Sequence, residues 1–136
     1  MKKLSLVLLS LALAVCFLFA GCSKYGSIKR AYEDAGWTEN AQVQNWTTQI
    51  NTYLAEENRE DITDTHVFEK AGLILPEYAI IVEFKSTESL VQAIEDSATL
   101  QGIIEDAQNS DYVSGNCLLI PIISSNNALE VFKTTK

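Results

Sequence analysis

The side chains best suited to chemistry are those of the one histidine, His66, and of Cys117, the one cysteine outside the N-terminal segment. A thiol beside an imidazole can act as a nucleophile activated by a general base. Cys117 opens a run of apolar residues, however, and a free cysteine in such a run usually packs as a small buried hydrophobic side chain. Nothing in the sequence pairs the two residues, so we predict no catalytic residues.

His66 also gives little support for a metal site. A single imidazole cannot build a multi-histidine zinc site, and no cluster of cysteine and histidine surrounds it in the sequence. We therefore expect His66 to have a structural or surface role, and we predict no metal.

The segment just before His66 is strongly acidic. A calcium loop needs oxygen ligands at alternate positions around a central glycine, and this segment has neither the spacing nor the glycine. We interpret it as a solvated helix end followed by a loop. Its acidic residues are Glu56, Glu57, Glu60, Asp61 and Asp64.

Three aromatic residues beside many Asn and Gln side chains raise the question of a ligand-binding face. Trp46 and Tyr53 lie on the apolar stripe of a predicted helix, which favours core packing for both. Trp37 lies between two predicted helices and is therefore the candidate binding residue.

Motifs of the familiar enzyme classes are absent from the sequence. It has no glycine-rich phosphate loop, no serine-nucleophile elbow and no HExxH motif. With a single histidine and a short chain, this favours a protein that is not an enzyme and uses no cofactor.

The N-terminal segment carries the clearest pattern of the chain. Met1-Lys2-Lys3 precedes an apolar run from Leu4 to Ala20, which closes on Leu18-Phe19-Ala20-Gly21-Cys22. Two lysines, an apolar stretch and small residues before a cleavage point are typical of a secretory signal peptide. The last five residues resemble the lipobox of bacterial lipoprotein signal peptides. The resemblance implies that the Cys22 thiol receives a diacylglyceryl group and that Cys22 becomes the new N-terminus.

Other interpretations of this segment stay open. Cys16, preceded by Leu13-Ala14-Val15, is a second candidate for lipidation, but Val15 is bulky for a residue beside the cleavage point, so we favour Cys22. An ordinary cleaved signal peptide and an uncleaved anchor helix are the alternatives. The 17 residues from Leu4 to Ala20 are at the short limit for spanning a bilayer.

The lipobox resemblance divides the chain into three parts. Residues 1–21 are the signal peptide, 22–26 are the lipidated cysteine with a short tether, and 27–136 are one domain. Each buried methylene of a lipid chain contributes about 0.8 kcal/mol, so two or three chains anchor the protein stably. We therefore expect a lipid-anchored protein at the extracytoplasmic face of a bacterial cell membrane.

The net charge of the chain limits the classes of partner that it is expected to bind. The net charge is −8, and removal of residues 1–21 takes away Lys2 and Lys3, leaving 8 basic and 18 acidic residues, or −10. Nucleic-acid binding needs clusters of Lys and Arg, so this balance argues against it. A basic protein is the partner that the charge favours, since opposite charge speeds encounter.

Hydrophobic periodicity and turn residues predict the secondary structure. Ser86 or Thr87 begins a helical region whose apolar stripe changes direction, which predicts a break near Asp96–Thr99 with Ser97 or Thr99 as a new N-cap. Pro121 suggests a sheet edge or a bulge in the last strand. The predicted elements are helices at 27–35, 40–58, 87–109 (broken once) and 126–132, and strands at 65–75, 78–85 and 117–123.

These elements predict an α+β fold. A three-stranded, mainly antiparallel sheet would be packed with four to five helices, in the order α-α-β-β-α-α-β-α. For such a domain we expect a non-enzymatic module that binds a protein or envelope component. The alternative is a small-ligand-binding or transporter-accessory lipoprotein, which a deep apolar pocket beside Trp37 or between the halves of 87–109 would favour.

Overall fold

The computed structural model of the protein describes residues 24–40, 44–121 and 124–136. The signal-peptide pattern of residues 1–21 and the candidate lipidation site Cys22 lie outside the described residues. The described part contains α1 (Lys24–Asp34), β1 (Thr38–Asn40), α2 (Gln44–Tyr53), α3 (Glu56–Arg59), β2 (Ile62–Lys70), β3 (Glu77–Phe84), α4 (Thr87–Glu95), α5 (Ala98–Gln101), a 3₁₀ turn (Ala107–Asn109), β4 (Val113–Ser114), β5 (Cys117–Leu119) and α6 (Asn126–Lys133).

The strands form one five-stranded antiparallel sheet in the order β1-β2-β3-β5-β4. The predicted α+β class is confirmed, but the three-stranded sheet and the order α-α-β-β-α-α-β-α are wrong. Both missed strands are short: β1 has three residues and β4 has two. An alternation of period two cannot be recognised over so few residues. β1 includes Asn40, where we had predicted a helix to begin.

The central hairpin of β2 and β3 is longer at its start and shorter at its tip than predicted. Its strands pair from Ile62↔Phe84 to Lys70↔Glu77, with an irregularity between Ile62 and Asp64. The predicted first strand ran on to residue 75, but residues 71–76 form the exposed connection instead. The apolar residues of this segment led to the prediction of a strand, but they are not part of the sheet.

The sheet has a separate hydrophobic core on each face, because successive side chains of a strand point to opposite sides. One core lies between the sheet and α2, α4 and α5, and the other between the sheet and α1 and α6. The second face is called the α1 face below. The buried strand side chains that point to it are Phe68, Ala79, Ile81, Cys117 and Leu119.

The predicted break near Asp96–Thr99 is confirmed, but the helical region does not run on to 109, because the second helix ends at Gln101 and a separate 3₁₀ turn follows at Ala107–Asn109. α4 begins after its N-cap Ser86, and α5 begins after Ser97, whose hydroxyl accepts a hydrogen bond from the Leu100 amide. The same hydroxyl donates to the carbonyl of Tyr53, at the end of α2. The new N-cap lets Leu100 of α5 enter the same core as Leu90 and Ile94 of α4, whereas Ile103, after the end of α5, is 42% exposed.

The predicted helix over 40–58 is wrong in extent, because the structure divides it into α2 and α3. Arg59 holds the division in place: its guanidinium donates to the carbonyls of Asn51 and Leu54, which lack helical partners. The break therefore leaves those carbonyl groups satisfied.

The last strand is shorter than the predicted 117–123. β5 ends at Leu119, two residues before Pro121, which lacks the amide hydrogen needed for a ladder bond. Residues 122–123 lie outside the described residues. Among the described helices, none has both the length and the apolar character needed to cross a membrane.

Candidate functional site

His66 is held against the α1 face of the sheet. It lies on β2, and its side chain is only 9% exposed. Tyr25, in the first turn of α1, stacks on the imidazole with ring centroids 3.4 Å apart and an angle of 11° between the planes. The stacking fixes the orientation of the imidazole ring.

Carboxylates approach both ring nitrogens of His66. Nδ1 lies 3.2 Å from Oε1 of Glu39, and Nε2 lies 3.2 Å from Oε2 of Glu83 and 3.7 Å from Oδ2 of Asp64. Strand alternation brings them together, since Asp64 and His66 are two apart on β2 and Asp64 pairs with Glu83 on β3. One ligand atom from each of Asp64, His66 and Glu83 lies within 4.8 Å of the others. We call Asp64, His66 and Glu83 the histidine–carboxylate cluster.

Glu39 supports the cluster from the edge strand β1. Burial opposes its ionisation, but hydrogen bonds from Tyr25, His66 and Lys29 outweigh that effect and lower the pKa of Glu39. The Tyr25 hydroxyl donates to Oε1 at 2.7 Å, and the Lys29 ammonium lies 3.4 Å from Oε2. Burial, the hydrogen bond to Glu39 and nearby negative charges raise the pKa of Tyr25, so this phenol stays protonated.

The structure gives Cys117 a packing role. The residue is fully buried on β5, and its thiol donates a weak hydrogen bond to Oδ1 of Asn116 at 3.8 Å. Burial and the negative charge of Glu83 raise the pKa of Cys117 to about 12, against a smaller opposing effect of Lys24. A nucleophile must be a thiolate, so the arrangement does not support a Cys117–His66 dyad.

We expect the Cys117 thiol to resist alkylation in the folded protein. The raised pKa of Cys117 keeps the thiol protonated at pH 8, and the buried side chain is shielded from reagent. Iodoacetamide should leave the Cys117 peptide unmodified in native buffer and modify it promptly in denaturant, as read by mass spectrometry. Equally fast labelling under both conditions would contradict the burial.

The acidic segment before His66 does not form one site. Glu56 and Glu57 lie exposed on α3. Asp61 forms an ion pair with Lys85, in which Oδ1 of Asp61 lies 2.8 Å from Nζ of Lys85. Asp64 instead belongs to the histidine–carboxylate cluster. The sequence signal for this cluster was the spacing of Asp64 and His66, two apart in a strand, which places both side chains on one face.

Trp37, the candidate binding aromatic, packs in the core of the α1 face. Its indole meets the ring of Tyr32 edge-on, with centroids 5.5 Å apart. Core packing accounts for this residue, and its ring is not presented to solvent for stacking on a ligand.

The connection between β2 and β3 exposes a block of apolar side chains. Leu73 is 106% exposed relative to the reference state, Ile74 93% and Leu75 75%. We call these three residues the hairpin tip. The backbone approaches itself closely beside the tip: a Cβ on Gly72 would lie 2.1 Å from the Leu75 carbonyl oxygen, so the position requires glycine. The sequence prediction placed these residues in a strand. Their position between Gly72 and Pro76, two turn-forming residues, was the pattern that indicated an exposed connection.

The hairpin tip and the start of α1 lie at opposite ends of the α1 face. Along α1, Tyr25 stacks on His66, Tyr32 stacks on Phe68, and the Ala35 carbonyl accepts from Lys70, so α1 and β2 run in the same direction. The tip continues beyond Lys70. An 11-residue helix is about 16 Å long, so the tip lies roughly 20 Å from the N-terminus of α1.

A cleft lies between α4 and the segment that follows α5. Its volume is about 220 Å³, and Val91, Ile94 and Ile104 line it together with Glu95 and Glu105. Ligand pockets usually enclose about 300–1,000 Å³. The cleft is where the small-ligand alternative placed a pocket, and its volume is below that range; larger hollows of about 340, 460 and 520 Å³ lie beside Ile103, Arg30 and the hairpin tip.

Searches of protein-family models, curated proteins and solved structures found no match to this chain.

Proposed function

We propose that the chain is a lipid-anchored extracytoplasmic lipoprotein that binds a protein partner through its hairpin tip. The proposal that the tip binds a partner depends on one observation, which is the exposure of Leu73, Ile74 and Leu75 at the end of a paired hairpin. The proposal of a lipid anchor depends on the lipobox-like sequence that ends at Cys22.

The energetics favour a binding role for the tip. Burying one Leu or Ile side chain contributes about 1.5–3 kcal/mol, so three together offer on the order of 5 kcal/mol to an interface. Much of that gain offsets the loss of rotational and translational freedom on association. Clustered exposure of apolar residues marks interaction surfaces more often than single exposed residues do.

The position of the tip favours a protein over the bilayer as its occupant. Cys22 stands two residues before the start of α1, so a lipid on Cys22 holds that end of the domain at the membrane. The tip lies at the other end of α1 and is therefore presented away from the bilayer.

The charge of the domain points the same way. A net charge of −10 after removal of residues 1–21 opposes contact with an anionic lipid surface. The same charge attracts a basic protein and speeds its encounter. We therefore expect the partner to present an apolar pocket surrounded by basic side chains.

Tethering explains the advantage of this arrangement. A binder fixed to a membrane meets membrane-associated partners at a raised effective concentration, without any additional contact. A small-ligand or transporter-accessory role is the weaker candidate, since the cleft beside Val91 is small and Trp37 is buried.

The anchor is tested by metabolic labelling with palmitate. We expect the wild-type chain to incorporate the label and a Cys22→Ser variant to incorporate none, because the acceptor thiol is gone. Cys16→Ser is the matched control and should label like wild type. Labelling that survives Cys22→Ser and disappears with Cys16→Ser would contradict the assignment.

The complete proposal is tested by crosslinking on whole cells followed by mass spectrometry. A specific protein recovered with the wild-type chain, and lost with Cys22→Ser, would support tethered docking. Recovery of abundant envelope proteins alone, with the anchor confirmed, would contradict it.

A further inference from the structure

The histidine–carboxylate cluster poses a problem of hydrogen bonding. A carboxylate only accepts hydrogen bonds, and a neutral imidazole has one donor and one acceptor nitrogen. Oε1 of Glu39 lies 3.2 Å from Nδ1, so a proton on Nδ1 donates to Glu39. In that tautomer Nε2 is the nitrogen that faces the oxygens of Glu83 and Asp64, with its lone pair toward them.

A proton on Nε2 or a bound cation would remove this conflict. Among the described residues, no lysine or arginine forms an ion pair with Glu83 or Asp64; His66 is the basic group beside both. The ligand atoms of Asp64, His66 and Glu83 therefore converge without a lysine or arginine side chain paired to them.

We propose that Asp64, His66 and Glu83 bind a divalent transition-metal ion of the zinc type. Zinc lies about 2.0–2.2 Å from nitrogen and oxygen ligands, which places tetrahedral ligand atoms roughly 3.3 Å apart. The separations from Nε2 to the two carboxylate oxygens, 3.2 and 3.7 Å, are close to that value. A mixed set of one imidazole and two carboxylates suits zinc better than calcium or magnesium, which prefer oxygen alone.

The surroundings of His66 match those of a metal ligand. Histidines that bind metals almost always donate their other ring N–H to a carboxylate or carbonyl, and Glu39 provides that acceptor. Tyr25 holds the ring plane by stacking and holds Glu39 by a hydrogen bond. These contacts aim Nε2 at the carboxylates.

Access to the site comes from the Asp64 side. The Asp64 side chain is 64% exposed, whereas those of Glu83 and His66 are 16% and 9% exposed. An ion can therefore enter beside Asp64, and water can fill the remaining coordination position. The cluster sits at the α1 end opposite the hairpin tip, so this inference does not depend on the docking proposal.

The sequence alone predicts no metal, because it holds a single histidine and no cluster of cysteine and histidine beside it. The sheet instead supplies two carboxylates, one from the same strand and one from its neighbour. Only the pairing of β2 with β3 shows that Glu83 faces His66.

Calorimetric titration tests the site on the full lipidated chain in detergent, after dialysis against a chelator. We expect one zinc ion per chain and a loss of affinity of at least about tenfold in Asp64→Asn and in Glu83→Gln. Glu39→Gln should weaken binding by about 10–100-fold through the orientation of the ring. Glu88→Gln is the matched control, because it removes an exposed carboxylate on α4, outside the cluster. This variant should bind zinc like wild type.

Two further readouts keep the test decisive. Because the chain has one histidine, nitrogen NMR reports His66 alone, and zinc should shift Nε2 and leave Nδ1 protonated. Zinc at about 100 times its Kd should raise Tm by roughly 5–10 °C in wild type and much less in Asp64→Asn. No binding up to about 1 mM zinc, or equal binding by all variants, would overturn the proposal.

Discussion

Replacement of Ile74 by aspartate is expected to weaken the complex with the docking partner by at least about 100-fold. The change removes an apolar contact and would bury an unpaired charge in the interface, and truncation of a central contact residue alone costs 2 kcal/mol or more. Ile74 is 93% exposed, so the free protein loses no packing. Affinity for the captured partner, measured by titration, gives the result.

The matched control is Ile103→Asp. Ile103 is also an exposed large apolar residue, 42% exposed, but it follows α5 and not the hairpin. This variant should bind the partner like wild type. If both variants bind equally well, the tip is not the docking surface. If Ile103→Asp alone loses binding, the surface near the cleft is the docking site instead.

Truncation of Ile80 should destabilise the fold by about 2–5 kcal/mol, because its fully buried side chain would leave a cavity in the sheet. The same truncation at Ile74, six residues earlier, should change the free energy of unfolding by no more than about 0.5 kcal/mol. Denaturant unfolding of Ile80→Ala and Ile74→Ala measures both. Total stabilities are about 5–15 kcal/mol, so the difference is large.

This pair of variants tests the end of the hairpin. Both residues are isoleucines close in sequence, and only the assignment of 71–76 to an exposed connection separates them. If Ile74→Ala destabilised the protein as strongly as Ile80→Ala, the tip would be packed and the docking account would fail.

The sequence predicted those elements that have strong local signals. The change in direction of the apolar stripe after Ile94 predicted the break that Ser97 caps. Alternating β-branched residues predicted β3 to within one residue at each end, Glu77–Phe84 against 78–85. Such patterns depend on near neighbours, so a single chain is enough to recognise them.

Other features depend on contacts between distant residues. β1 exists because Glu39 pairs with Phe68, and nothing in Thr38–Asn40 itself predicts a strand. The hairpin tip was included in the predicted strand because its three apolar residues follow only two residues after the end of β2. Trp37 was the candidate binding residue between two predicted helices, whereas it packs in the core of the α1 face, edge-on to the ring of Tyr32.

The candidate sites also differ in whether they depend on a local sequence pattern or on contacts between distant residues. The lipobox-like pattern is local and could be recognised from the sequence alone, whereas the histidine–carboxylate cluster joins β2 to β3 and is supported by Glu39 on β1. His66 alone predicts little. Its chemistry comes from Glu39 and Glu83, which lie 27 and 17 residues away in the sequence.

Site-specific photo-crosslinking tests the docking claim most directly. A benzophenone amino acid at position 74, in the anchored protein on living cells, reacts with whatever covers the tip. We predict one protein adduct at position 74 and none of that species from the same probe at exposed Thr99 on α5. Adducts with lipid, no adduct, or the same species from both positions would contradict docking through the hairpin tip.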